Sequence, residues 1–173
     1  DINYDVFKLA QVFTISRGSR TEAKVLTVKL ADGASMGWGE CVPYARYGET
    51  MESVEAQIRG LPSGFDRAAL YDLLEPGAAR NAVDCALWDL EAKQAGRPVW
   101  DLAGLQKPGP EITAYTLSLG TPEAMQKQAR ENAHRPLLKI KLGTPDDMPR
   151  LEAVRRGAPK SRIIIDANEG WSA

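Results

Sequence analysis

Histidine occurs once in this 173-residue chain, at His134, and cysteine twice, at Cys41 and Cys85. With a single imidazole, Ser-His or Cys-His nucleophilic catalysis has at most one base to draw on. His134 lies in "NAHRP", a turn-like helix end that favours a surface position. The two cysteines are far apart and show no CxxC or Cys/His spacing, which speaks against a disulfide or structural zinc and for reduced, packed thiols. No apolar run approaches the roughly 20 residues of a membrane span, and the "DINYDVFKLA" start lacks the basic cluster and apolar core of a signal peptide. An excess of one charge is missing too. The 22 Lys and Arg against 23 Asp and Glu give a formal net charge of -1, without the electrostatic footprint of a nucleic-acid or anionic-membrane binder. The expectation is a cytoplasmic protein that handles a small molecule and runs its proton chemistry on Lys, Asp or Glu.

What is present is an ordinary globular composition, 43% apolar and 26% charged, enough for one core or for a small domain plus part of another. The first forty-odd residues read as strands: Leu26, Val28 and Leu30 alternate in "KVLTVKLADG" before an Asp32-Gly33 turn and a second run, "ASMGWGECV". From Thr50, an N-cap candidate, the pattern turns helical through "TMESVEAQIRG", "DRAALYDLL" and "NAVDCALWDLEAKQAG". "KPGP", residues 107–110, reads as a linker. After it come a strand in "EITAYTLSLG", a helix in "TPEAMQKQAREN" with Thr121 as cap and Pro122 at its first position, a strand "LLKIKLG", a helix "PDDMPRLEAVRRG" and a strand "RIIIDAN". This β-α-β-α-β order suits right-handed parallel crossovers.

The strand "LLKIKLG" carries Lys139 and Lys141 two residues apart, so both ammonium groups share one face while Leu138, Ile140 and Leu142 share the other. Lysines on the wet side of a half-buried strand would read this way. A parallel sheet covered on both faces offers no such side, and in a closed barrel the pair points inward. Asp166 ends the last strand on the parity of Ile164, with Asn168 continuing it. Barrel enzymes gather their chemistry at the C-terminal ends of the strands, where Lys139, Lys141 and Asp166 would converge. A structural ion pair is the alternative reading of these three residues.

"KIK" followed some 25 residues later by "DANEGW" resembles the enolase superfamily of barrel enzymes. "ISRGSRTEA", "GWGECVPYARYGET" and "GAARNAVDCALWDLEAKQAG" are similar to its dipeptide epimerase branch, in particular to enzymes acting on L-Ala-D/L-Glu. The fold this resemblance implies is an α+β N-terminal capping domain followed by the first part of a modified TIM (β/α)7β barrel. Residues 1–106 would form the capping domain and residues 107–173 the first three barrel strands. The implied reaction is Mg²⁺-dependent epimerisation of a dipeptide by 1,1-proton transfer through an enolate.

In that reading Asp166 matches the first of three acidic Mg²⁺ ligands, Lys141 the lysine that exchanges the α-proton on one face, and Lys139 its helper. The other two ligands, the opposing lysine and the motif for the dipeptide ammonium group are expected further along such a barrel, past "WSA". The KxK spacing suits the chemistry, because burial and a neighbouring like charge both disfavour the ammonium form of a lysine base. A hard cation that prefers carboxylate oxygens would stabilise the charge growing on the substrate. Arg20 in "SRGSR" matches an arginine that meets the glutamate side-chain carboxylate, a geometry a guanidinium suits; a solvated surface arginine is its alternative. Thr116 could contact substrate or serve as a turn hydroxyl, and Tyr47 in "YARYGET" could line the pocket or pack on its own domain. The expected partner is a small-molecule dipeptide, with neither nucleic acid nor membrane, and a homo-oligomer is compatible with the reading. Muconate-type cycloisomerase, o-succinylbenzoate synthase and N-acylamino acid racemase activities would use the same positions. A fragment inactive on its own is the reading from a different class.

Overall fold

The computed structural model describes residues 1–145 and 147–171. Contacts divide the chain into two compact units, one of Asp1–Phe7 and Glu22–Gly109, the other of Lys8–Thr21 and Pro110–Ala173. The sequence reading divides it at 106/107 and does not give residues 8–21 to the second unit. Strand lengths explain this difference. β1 (Ile2–Ile15) and β2 (Gly18–Asp32) are about twice as long as β3 (Ser35–Cys41), and β3 pairs only with Leu26–Asp32 of β2.

In the first unit the sheet runs β1-β2-β3, with β2 and β3 antiparallel. Gly33 turns the β2–β3 hairpin at φ 58, a left-handed conformation glycine reaches without steric penalty. Leu26 and Val28 alternate into the core as their spacing predicts. On β3 the same face holds Gly37 and Gly39, paired with Leu30 and Val28. A Cβ at Gly39 would strike the Ala82 carbonyl, and one at Gly37 the Ala86 carbonyl and Leu90. These belong to α3 (Ala78–Ala95), whose buried row is Ala79, Ala82, Val83, Ala86, Leu87 and Leu90. Glycine on the strand opposite alanine on the helix lets two backbones approach at a distance larger side chains would forbid.

Around this contact α1 (Met51–Arg59) starts on a capping box between Thr50 and Ser53, and α2 (Arg67–Leu73) on Asp66, which accepts from the Ala69 N–H. A short α4 (Val99–Leu102) follows α3 and was not expected from the sequence. Cys41 is packed as predicted, and burial pushes its thiol up to about 11. Cys85 is exposed, contrary to the expectation for it. It sits one residue from Ala86, a step of roughly 100° around the helix that turns it off the buried row.

In the second unit β4 (Tyr115–Leu117), β5 (Leu137–Lys141) and β6 (Arg162–Asp166) form a parallel sheet in that order. Crossover helices α5 (Pro122–Glu131) and α6 (Asp147–Gly157) join them, with Thr121 capping α5 through the Ala124 N–H. Leu117, Leu138 and Ile140 point to the helix side, against Met125, Ala129 and Val154. β4 is shorter than "EITAYTLSLG" suggests, because past Leu117 the backbone bonds elsewhere: the Leu119 N–H donates to the Thr14 carbonyl at 3.0 Å. An antiparallel sheet with helices, followed by the parallel start of a barrel, is the fold class the sequence predicts. Among the described residues no helix is long and apolar enough to cross a membrane.

Candidate active site

Parallel register puts Thr116, Lys139 and Ile164 in one row and Lys141 and Asp166 in the next, all on the face turned away from α5 and α6. The Nζ atoms of Lys139 and Lys141 each lie 2.8 Å from Asp166 Oδ2. The Asn168 N–H donates to the other carboxylate oxygen, Oδ1, at 2.9 Å. The Lys139 and Lys141 hydrogen bonds, in that order, hold the Asp166 carboxyl far below the usual carboxylate range, against burial that would raise it. Lys141 is 7% exposed, which rules out the solvated-face reading for it. Two ammonium groups around one carboxylate leave a local excess of one positive charge, a setting that attracts an anionic ligand.

The hairpin tip caps this end of the sheet. Ser118, buried beside β4, donates through Oγ to the Val12 carbonyl at 3.1 Å and accepts from the Thr14 N–H at 3.4 Å. The Phe13 ring lies 5.8 Å from Lys141 Nζ. Arg17 Nη1 donates to the Asn168 carbonyl at 2.7 Å, and Ser16 Oγ to the Ala167 carbonyl at 3.4 Å. Asn168 and Glu169 both take left-handed backbone conformations, at φ 50 and 61, which are uncommon without glycine.

Of the residues singled out from sequence, Lys139, Lys141 and Asp166 come together, and Thr116 stands in register beside Lys139. Arg20 sits on the hairpin tip within the same unit. Tyr47 belongs to the first unit, 75% exposed in a short 3-10 turn with its ring 5.6 Å from that of Tyr44. Sequence reasoning missed Phe13, Arg17, Ser118 and Asp147. Only the "ISRG" stretch, which contains Arg17, hinted at any of them, and Ser118 carried no local signal.

Asp166 offers carboxylate oxygens, and two residues on, the Asn168 Oδ1 atom is buried without a hydrogen-bond partner. Oxygen donors fit a hard cation such as Mg²⁺. They fit it as part of a coordination shell, since among the described residues no three His, Cys, Asp or Glu side chains cluster to hold a metal.

Residues 2–104 match the N-terminal domain of the mandelate racemase / muconate lactonizing enzyme family. The chain belongs to this family, within the enolase superfamily. It is 43% identical to the L-Ala-D/L-Glu epimerase of Escherichia coli K12 over 98% of this chain and 54% of that protein. It is 44% identical to an N-acetyl-D-glutamate racemase of a Pseudoalteromonas species over 85% of this chain and 48% of that one. Among solved structures it resembles an enolase family member from Agrobacterium tumefaciens with homology to dipeptide epimerases, bound to sodium and L-Ala-L-Glu. That match has a TM-score of 0.94 and 53% identity, covering 99% of this chain and 54% of that one. A Cytophaga hutchinsonii dipeptide epimerase complexed with Mg and D-Ala-L-Val follows the same path, with a TM-score of 0.88 and 28% identity over 99% of this chain and 51% of that one. The chain thus spans about half the length of the relatives it matches.

Proposed function

We propose that the protein carrying this sequence epimerises dipeptides of the L-Ala-D/L-Glu type by 1,1-proton transfer at the α-carbon of the C-terminal residue. One observation carries the reading: a buried lysine amine, Lys141 Nζ, 2.8 Å from a carboxylate at the C-terminal ends of two adjacent parallel strands. Support for the substrate class comes from relatives named as L-Ala-D/L-Glu epimerases and from neighbours bound to dipeptides.

An α-proton beside a carboxylate is very weakly acidic, so its removal needs both a base and a place for the charge left behind. Lys141, as the free amine, takes the α-proton, and the C–H electron pair moves into the substrate carboxylate to give the enolate. A second acid on the other side of the α-carbon delivers a proton to the opposite face while Lys141 keeps the one it took, which completes the inversion. Lys139, on the same strand face, supplies a fixed positive charge beside that carboxylate. Asp166 would be one ligand of Mg²⁺. Mg²⁺, when bound, supplies electrostatic stabilisation of the growing negative charge. Arg20 would pair with the glutamate side chain, and Thr116 would contact substrate from the neighbouring strand.

N-acylglutamate racemisation is the second reading, favoured by the relative that is an N-acetyl-D-glutamate racemase. Both substrates present an acylated glutamate to the same groups, and only the dipeptide adds a free ammonium. The test is solvent exchange. In D₂O with Mg²⁺, L-Ala-D-Glu and L-Ala-L-Glu should take up one deuterium at the glutamate α-carbon and interconvert, and chelation should stop both. Exchange on N-acetyl-D-glutamate with none on the dipeptides would select the second reading. No exchange on any of them would refute the assignment.

A further inference from the structure

The loop that follows β6 carries Asn168 and Glu169 in left-handed conformations, and something must hold it there. Asp147, at the start of α6, is 8% exposed, and its Oδ2 accepts from the Trp171 indole Nε1–H at 2.7 Å. The same oxygen accepts from the backbone N–H of Gly143 at 2.8 Å and of Thr144 at 3.1 Å. Thr144 Oγ1 donates to Oδ1 at 3.1 Å, and the Arg150 guanidinium, 3.7 Å from Oδ1, also donates to the Gly120 carbonyl at 2.8 Å. One buried carboxylate therefore joins the loop after β5 to the loop after β6.

Packing points the same way. A Cβ on Gly143 would strike the Ala167 carbonyl, and one on Gly170 would come within 2.6 Å of the Gly143 carbonyl. The two loops are pressed together at a pair of glycines. Gly143 is two residues past Lys141, and the Leu142 N–H between them donates to the Asp166 carbonyl at 3.1 Å. On the other loop Asn168 fixes Asp166 Oδ1 through its own N–H. Both loops are thus bonded directly to the strand ends that carry Lys141 and Asp166.

We propose that Asp147 is a positioning residue: by holding the Gly143 and Thr144 amides and the Trp171 indole together, it fixes the two loops that aim Lys141 and Asp166. The inference rests on the roles given to Lys141 and Asp166 under the proposed function. It adds a residue that touches neither substrate nor metal. Supporting groups of this kind commonly change metal affinity or activity by about 10–100-fold when removed.

The test uses the whole protein carrying this sequence, labelled with ¹⁵N, in wild-type, Asp147→Asn and Trp171→Phe forms. Trp171→Phe keeps an aromatic ring while removing the indole N–H together with the five-membered ring that carries it, so it breaks the bond to Asp147 from the other side and decides the matter even where Asp147→Asn fails to fold. The Trp171 indole resonance, assigned by its loss in Trp171→Phe, should shift in Asp147→Asn. Mg²⁺ titration followed on the 167–170 amides should need about tenfold more metal in both variants, with far-UV circular dichroism unchanged. Exchange of the L-Ala-D-Glu α-hydrogen should lose kcat at saturating Mg²⁺ while KM for the dipeptide moves less than about twofold. A purely structural role would lower thermal stability and leave the Mg²⁺ midpoint and the kcat-to-KM split at wild-type values; that result overturns the proposal. If the wild type shows no exchange, the functional reading falls, and the resonance shift and Mg²⁺ titration still decide whether Asp147 positions the loops.

Discussion

Every buried polar or charged side chain among the described residues, namely Ser118, Lys141, Asp147 and Ser161, belongs to the second unit, and the first buries only apolar ones. Taking an ionised group out of water costs several kcal/mol unless partners replace its hydration. The second unit bears that cost and offsets it locally, with Asp166 against two lysines and Asp147 against four donor groups. The first unit puts its precision into distance instead, through glycines of β3 laid against alanines of α3. Shape holds one unit together, and charge placement makes the other a candidate for chemistry.

Breaking the first unit should take a volume change. Gly39→Val, which drives a branched side chain into the α3 backbone, should destabilise by about 3 kcal/mol or more in urea unfolding. Gly109→Ala, in open space, should fall within about 0.5 kcal/mol of wild type. Equal effects would remove the close approach from the account. The second unit should instead be sensitive to charge without change of volume. Asp166→Asn leaves Lys141 buried beside Lys139 with no anion, and should cost about 2 kcal/mol in metal-free buffer, less than for a fully buried pair because Asp166 is partly exposed.

Smaller again is the expected effect at the hairpin tip. Arg20→Ala should reduce kcat/KM for L-Ala-D-Glu by tenfold or more, about 1.4 kcal/mol, and that for a dipeptide ending in an apolar residue much less. Equal losses on both substrates would assign Arg20 to folding. The smallest effect concerns acid. Burial alone would raise the Asp147 carboxyl, but hydrogen bonds from Trp171, Gly143 and Thr144 outweigh it and leave it lowered; Asp166 is lowered too. A depressed carboxylate contributes stability that is fully present above its unfolded value, near 4, and is lost as pH falls through the folded one. The urea midpoint should therefore decline below about pH 4, and Asp147→Asn should flatten that decline. The lowered carboxylates of the first unit, such as Asp101, are exposed, so their share should fade in 0.5 M salt, where the Debye length falls to about 4 Å, while the Asp147 share persists.

Much of the site was legible because strand parity is a strong rule. Lys139 and Lys141 had to share a face, and the parallel βαβ order made Asp166 their neighbour. The close packing of β3 on α3 was not read from the sequence, because what Gly37 and Gly39 make room for appears only with the α3 backbone laid against them. What stayed hidden depends on partners distant in sequence. Asp147 reads as an ordinary helix start in "GTPDDM", and its bond to Trp171 spans 24 positions. The hairpin tip's membership of the second unit follows from a mismatch of strand lengths that only the observed register exposes.

The proposed role of Lys141 as the base on one face of the α-carbon can be tested directly. Lys141→Ala and Lys139→Ala, each verified as folded, should be incubated in D₂O with Mg²⁺ and each epimer of L-Ala-Glu separately, and deuterium at the α-carbon followed by proton NMR. Lys141→Ala should not interconvert the epimers and should lose exchange on the epimer whose α-hydrogen faces Lys141, whereas Lys139→Ala should slow exchange on both. Interconversion at the wild-type rate by Lys141→Ala would contradict the account and return the Lys139, Lys141 and Asp166 cluster to a structural ion pair.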